Sequence, residues 1–335
     1  MFFKLFKISI YGFAISFLIL PSIVSAHVKW FVDKNNIIGY VNQEPTGIYI
    51  TAWLIITTII ILVGILLEKY LPKKSKQTEY KINSLGHKIA SIFSIIIGLF
   101  LLIASYKGFL FSDNLSDLGF LKSILIAIQA LIGFGFLIGF GVRLLSILLI
   151  ILWTFIFLYL GPINTLEAIW VFGVAIFSLI YGRAHFKMAK SSDFSNRFFL
   201  LHEKYAIPIL RLMIGIDLLI LGFTEKLLEP ELGLAFLNIY NWNFMQNIGL
   251  DWYSDYLFVL SAGFVESILG LVFILGIVTR LNAVIALVIF GIPIFFMGPL
   301  ELFGHLPHLV IVVMLFIFGS GEKLKLIQNH KIKIA

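Results

Sequence analysis

GIYITAWLIITTIIILVGILL, residues 47–67, carries no charge from end to end and stops at Glu68 and Lys69. Wound as a helix, this run is about 30 Å long, the thickness of a bilayer's hydrocarbon core. Its apolar residues are continuous rather than alternating, so it reads as a transmembrane helix and not as a barrel strand. Working outward, comparable runs recur near 89–110, 121–140, 144–160, 166–181, 207–227, 256–278, 281–297 and 305–318. The whole chain agrees, with 335 residues, 60% of them hydrophobic and 13% charged, against the roughly 25% charged of a soluble domain. Mean hydropathy is +1.02. A water-soluble fold is excluded, and the expected class is all-α: a polytopic membrane helix bundle with about nine mature transmembrane helices. Cysteine is absent, which excludes disulfides, iron–sulfur clusters, thiolate metal sites and thiol relays.

Upstream of the quoted helix, residues 1–26 read as a signal peptide. Lys4 and Lys7 form its positive start, 8–20 its apolar stretch, and Val24-Ser25-Ala26 a small-residue cleavage site. An uncleaved signal anchor is the rival reading, and both place His27 outside. Residues 27–45 then form a periplasmic segment and 46–68 the leading transmembrane helix. Inner loops of membrane proteins collect lysine and arginine. With the N-terminus periplasmic and the C-terminus cytoplasmic, 18 mature Lys and Arg fall inside and 5 outside, and 320–335 forms a cytoplasmic basic tail. The net charge of +7 is thereby explained by orientation in a bacterial inner (plasma) membrane, with the lipid bilayer as partner and no nucleic acid.

The chain also matches itself. An offset of 137 residues aligns Gly133 with Gly270, Gly139 with Gly276, Arg143 with Arg280, Gly161-Pro162 with Gly298-Pro299 and Gly182 with Gly319. Glycine, proline and arginine at loop positions mark turns and helix ends, so a shared offset is informative. Two parallel four-helix repeats are expected, 89–182 and 207–319. Their leading helices match at an offset of 117, Gly98 on Gly215, which leaves the second unit 20 extra residues near 231–253. That insertion carries Trp242 and Trp252 and faces outside, either as an aromatic belt in the headgroups or as a lid over a pocket.

Ionisable residues concentrate in the second unit, which makes the first unit mostly scaffold. Asp217 and Glu266 stand where the first unit has Phe100 and Gln129, and His305 and His308 where it has Ala168 and Val171. Asp217 lies about 15 Å along an inward-starting helix and Glu266 about as deep along an outward-starting one, so both carboxyls approach one membrane level. Charge at that depth usually faces a cavity or a partner. The pair reads either as proton-carrying groups or as protonated acids that hydrogen-bond helix to helix. Lys226 ends its helix at the outer boundary, as a site residue or as a snorkelling lysine. His305 and His308, three residues apart near one face, could bind a metal, move protons or contact a headgroup. Arg143 and Arg280 close inner turns as partners of lipid phosphate or of helix C-termini. Gln129 in the first unit is expected to tolerate leucine.

Arg211-Leu212-Met213-Ile214-Gly215, Gly222-Phe223, Lys226-Leu227, Glu266, Gly270, Leu275-Gly276, Thr279-Arg280 and His305 together resemble the DoxX family. The resemblance covers about 110 residues of the second unit and, more loosely, the first, so that two DoxX-like four-helix units are implied. It includes the membrane subunit type of thiosulfate:quinone oxidoreductase, and the module is distantly similar to the membrane domain of vitamin K-dependent carboxylases. What it implies is a quinone-like lipid substrate met inside the bilayer. The expected function is a quinone-interacting accessory subunit of a membrane oxidoreductase. Lys226, Glu266 and Asp217 would handle protons, and His305, His308, Trp242 and Trp252 would line the binding site. A membrane or periplasmic partner protein would exchange the electrons. Two alternatives stay open: a non-catalytic assembly or scaffold subunit, and a copper-handling protein in which the freed α-amine and imidazole of His27 ligate Cu(II).

Overall fold

The computed structural model describes residues 47–70, 76–112, 115, 118–182, 193–297, 299–321 and 323–327. The expected signal peptide, the periplasmic segment with His27, the inner loop 183–192 and the end of the basic tail lie outside the described residues. Helices α1 (Gly47–Tyr70), α2 (Lys76–Tyr106), α3 (Leu121–Ile138) and α4 (Val142–Leu160) are followed by a short α5 (Pro162–Thr165) and α6 (Trp170–Tyr181). Then come α7 (Asp193–Gly222), α8 (Pro230–Tyr240), α9 (Phe244–Asn247), α10 (Asp255–Leu275), α11 (Thr279–Met297) and α12 (Pro299–Phe318). Among the described residues the extended pairing is one isolated bridge, Leu110 with Ser112. Six helices are long and apolar enough to cross a membrane, and 166–181, 279–294 and 302–318 are shorter apolar helices. The protein is therefore an all-helical bundle of the multi-pass membrane class.

Helix ends fall at the glycines. Gly139 and Gly276 both adopt the left-handed conformation, with φ of 73° and 67°, and end α3 and α10. Two spans begin or end differently from the apolar runs. The run at 166–181 starts as a 3-10 turn, Leu166–Ala168, and becomes α-helical only at Trp170. Pro162 has just restarted the chain, and the Trp153 indole pins the turn by donating to the Ala168 carbonyl at 3.0 Å. The run at 207–227 widens after Gly222 into a π turn, Phe223–Leu227, in which the Leu228 N–H donates to the Phe223 carbonyl at 2.8 Å.

Helix packing supplies the core, because lipid gives no hydrophobic drive between helices and close approach must replace it. A Cβ on Gly98 would stand 2.7 Å from the Gly133 carbonyl oxygen where α2 crosses α3, and one on Gly215 would stand 2.8 Å from the Gly270 carbonyl oxygen where α7 crosses α10. Aromatic contact adds α12 to the bundle: Phe100 of α2 stacks on Phe303 of α12 with ring centroids 5.0 Å apart. Helix α1 lies at the periphery with Gly64 as its buried residue. It is held by a Trp53–Phe264 stack at 5.3 Å and by Glu68, which accepts from the Val278 N–H at 2.9 Å.

Arginines fasten the other end. Arg211 is fully buried and donates to the Phe273, Ile274 and Leu324 carbonyls, closing the end of α10 and docking the segment 323–327 beneath it. Arg280 donates to the Phe316 and Phe318 carbonyls, so of its two sequence readings the structure displays the helix C-terminus partner.

The expectation for Gln129 is overturned. Its amide is fully buried, donates to the Leu101 and Phe109 carbonyls and the Ser105 hydroxyl, and accepts from the Phe111 N–H at 2.9 Å. Leucine would strand a buried amide N–H and a carbonyl, each costing about 1–3 kcal/mol. Gln129→Leu is thus expected to destabilise the bundle by at least about 2 kcal/mol, read as earlier loss of tryptophan signal when sodium dodecyl sulfate is titrated into a mild-detergent solution.

Candidate functional site

Small residues let the cation of the site lie inside the bundle. Gly222 faces α10, where a Cβ would come within 2.7 Å of the Gly263 carbonyl, and the Lys226 stem lies over Gly263 in turn. One turn further along α10 stands Glu266, and its Oε2 accepts from the Lys226 Nζ at 2.5 Å. The two side chains are 18% and 16% exposed. Lys226 is therefore the partner of a carboxylate rather than a lysine extended to the headgroups. The π turn contributes to this placement: a widened turn delays the register of the residues after it by one position, roughly 100° of rotation at 3.6 residues per turn. Glu225, the residue before Lys226, is fully buried.

A second acid–base pair sits deeper on α7. Asp217 is fully buried, and its Oδ2 lies 2.7 Å from the Nε2 of His308, itself 3% exposed, on α12. The His308 ring is flanked by Trp170 at 6.2 Å and Phe290 at 6.1 Å, so aromatic rings enclose the contact with the carboxyl. His305, one turn earlier, is half-buried against Phe290 at 5.6 Å. The sequence pairing of Asp217 with Glu266 becomes two separate pairs, Asp217 with His308 and Lys226 with Glu266, on helices that pack against each other.

The first unit also contributes a buried acid at this point. Glu167, in the 3-10 turn, is buried, and its Oε1 accepts from the Thr224 hydroxyl at 3.1 Å. Trp170, one turn on, supplies the ring beside His308. Sequence reasoning missed Glu167, Glu225 and Thr224. One available signal was a glutamate interrupting an otherwise uncharged stretch, 162–182, and the repeat comparison hid it, because Glu167 aligns with Gly304.

The insertion is not an open loop. It forms α8 and α9, and Gly233 of α8 rests on Val259 of α10. Trp242 is half-buried, edge-on to Phe236 at 6.3 Å, while Trp252 is 68% exposed beside Tyr253. A hydrogen-bonded patch fastens this end: Tyr49 of α1 meets Ser261 at 2.5 Å, and Tyr253 also meets Ser261. Asn243 donates to the Tyr253 carbonyl and to Asp255, both at 2.9 Å. Burial pushes the Tyr253 phenol up to about 12.

Among the described residues no group of three or more His, Asp or Glu is arranged to hold a metal ion. His27 lies outside the described residues. Comparison with protein-family models, with curated proteins and with solved structures returns no match for this chain.

Proposed function

We propose that this is a DoxX-like inner-membrane protein that binds a quinone-class lipid and exchanges protons with it, in partnership with a membrane or periplasmic protein that handles the electrons. The observation that carries the reading is the pair of acid–base contacts, Asp217–His308 and Lys226–Glu266, held inside an apolar bundle. Ionisable groups in a membrane interior are costly and are kept where they serve transport or chemistry. Reduction of a quinone takes up two electrons and two protons and gives the quinol, so a site for it needs protonatable groups within an apolar chamber. In this reading His305 and His308, beside Phe290 and Trp170, meet the head group. Asp217 orients His308 and balances its charge, Lys226 and Glu266 exchange protons toward the outer side, and Trp242 and Trp252 belong to the roof.

The proposal includes nine mature spans in two parallel repeats. It is supported by the matched close approaches at Gly98–Gly133 and Gly215–Gly270, by the matched left-handed caps at Gly139 and Gly276, and by Arg143 lying against Gly182 as Arg280 lies against Gly319. Reporter fusions after Lys76, Lys190 and the C-terminus are expected to give a cytoplasmic signal in all three cases. A periplasmic signal from any of them overturns the topology.

Solvent extraction and mass spectrometry of the natively purified protein test the function. Co-purified quinone in wild type, lost in His308→Ala, is the expected result. A non-catalytic assembly subunit is the second reading, favoured by the fact that Asp217 and Lys226 each have a partner within the chain. A stoichiometric partner protein without any quinone would establish it, and bound copper that disappears in His27→Ala would establish copper handling instead.

A further inference from the structure

We propose that the segment 323–327, docked across the end of α10, is a binding surface for anionic phospholipid headgroups. Its residues take no part in the acid–base pairs, so it does not depend on the quinone reading and requires only that this end of the bundle meets a leaflet.

Contacts along its length hold the segment in one place. Arg211, buried in α7, donates to the Leu324 carbonyl as well as to the Phe273 and Ile274 carbonyls of α10. The Leu326 N–H donates to the Leu275 carbonyl at 2.9 Å, Ile327 packs against the apolar cluster that includes Ile277, and Gly321 just upstream rests on Pro208. This docking leaves Leu324 and Leu326 45% and 55% exposed, although apolar surface turned to water gains nothing from burial. Helices α10 and α12 end at Leu275 and Phe318, so in a bilayer crossed by them the segment lies where hydrocarbon gives way to headgroups. Exposed leucine at that level enters the acyl boundary, as the apolar side chains of interfacial segments do. The neighbouring charge selects the headgroup. Lys323 and Lys325 flank Leu324, and the Lys325 Cβ crowds the place where a Cβ on Gly276 would stand. A lysine stem laid along the bundle in this way carries its ammonium to the phosphate level. Glu322 precedes the segment, but from 323 to 333 there are four lysines and no acid. Glu68, the acid that α1 brings to this end, accepts from the Val278 N–H, and Arg280 is directed at the Phe316 and Phe318 carbonyls. Leucine and lysine presented together on a fixed backbone fit an anionic lipid surface better than a neutral one, and better than bulk water.

The chain has no cysteine, so Leu326→Cys gives the full-length protein a single labelling site. An environment-sensitive fluorophore attached there, in mild detergent, is titrated with short-chain phosphatidylglycerol, with short-chain phosphatidylcholine and with inorganic phosphate. Phosphatidylglycerol is expected to shift the emission to the blue and to saturate, phosphatidylcholine to act only at much higher concentration, and inorganic phosphate to leave the probe in water. Adding Lys323→Gln and Lys325→Gln is expected to weaken the phosphatidylglycerol response at least about tenfold, since each lysine near an anionic lipid surface strengthens binding about fivefold. A probe at Tyr106→Cys, exposed at the opposite end of the bundle, is expected to respond equally with and without the two lysine changes. Equal affinity for phosphatidylglycerol and phosphatidylcholine overturns the proposal, and so does an unchanged response in the lysine variant. A response to inorganic phosphate matching that to phosphatidylglycerol overturns it in favour of a soluble anion. A probe that leaves water only when another protein co-purifies overturns it in favour of a protein contact. If Leu326→Cys does not fold, the same readings from a probe at Leu324→Cys decide the matter.

Discussion

Lys226→Met is expected to destabilise the folded protein by about 3 kcal/mol, because it leaves the Glu266 carboxylate half-sequestered without its cation. The two groups meet at 2.5 Å and are largely shielded from solvent, so bulk water replaces little of the lost contact. Removing both charges should restore most of the loss: the double variant Lys226→Met, Glu266→Gln replaces a costly ion pair by groups that need less solvation. Titration with sodium dodecyl sulfate from a mild-detergent solution, monitored by tryptophan fluorescence, reads both variants against wild type. A Lys226→Met midpoint equal to that of wild type would show that the pair contributes nothing to the fold. A double variant no better than the single would mean that the lysine stem over Gly263, not the charge, holds this part of α7 in place.

Gly270→Val should separate α7 from α10 and cost about 3 kcal/mol or more, above the usual range for an overpacked core. The obstacle at Gly270 is main chain: the Gly215 carbonyl and the Leu219 N–H and Cα crowd the place where a Cβ would be. Backbone in a helix cannot swing aside as a side chain can, so the crossing itself must open. Since α7 and α10 carry Asp217, Lys226 and Glu266, the same change should disrupt the site. Gly291→Val on α11 is the control, with nothing within 4 Å of its Cβ position. Circular dichroism would show helix retained in both, while heating in detergent and then size exclusion should separate them. Equal survival of the two variants would remove the close approach from the account of how this bundle holds together.

Much of the architecture was readable from residue types. An uncharged run of the length at 47–67 cannot leave its backbone unpaired in lipid, so it must be helical wherever it sits. Glycines at 139 and 276 end their helices because the left-handed turn favours a residue without a Cβ. Asp217, Lys226, Glu266 and His308 were singled out because charge within an apolar run is rare and costly. None of these inferences needs to know which helix lies beside which.

Pairing within the site was decided by the tertiary structure. The sequence set Asp217 beside Glu266 from their shared depth, yet depth along an axis does not say which way a side chain points around it. Helix crossings at Gly215–Gly270 and Gly222–Gly263, and the π turn at Phe223–Leu227, fix that rotation and deliver Lys226 to Glu266, while the packing of α12 on α7 brings His308 to Asp217. Gln129 and Glu167 show the same gap from the other side. Each is a single polar residue in an apolar stretch, and one closes hydrogen bonds around its own loop while the other reaches Thr224, 57 positions along the chain. The sequence by itself determined that this chain is a bundle of apolar helices and which of its residues are costly to bury, because those depend on transfer from water residue by residue. Only the tertiary structure decided which of those residues meet, because that depends on rotation and close approach between helices, which no periodicity along one chain encodes.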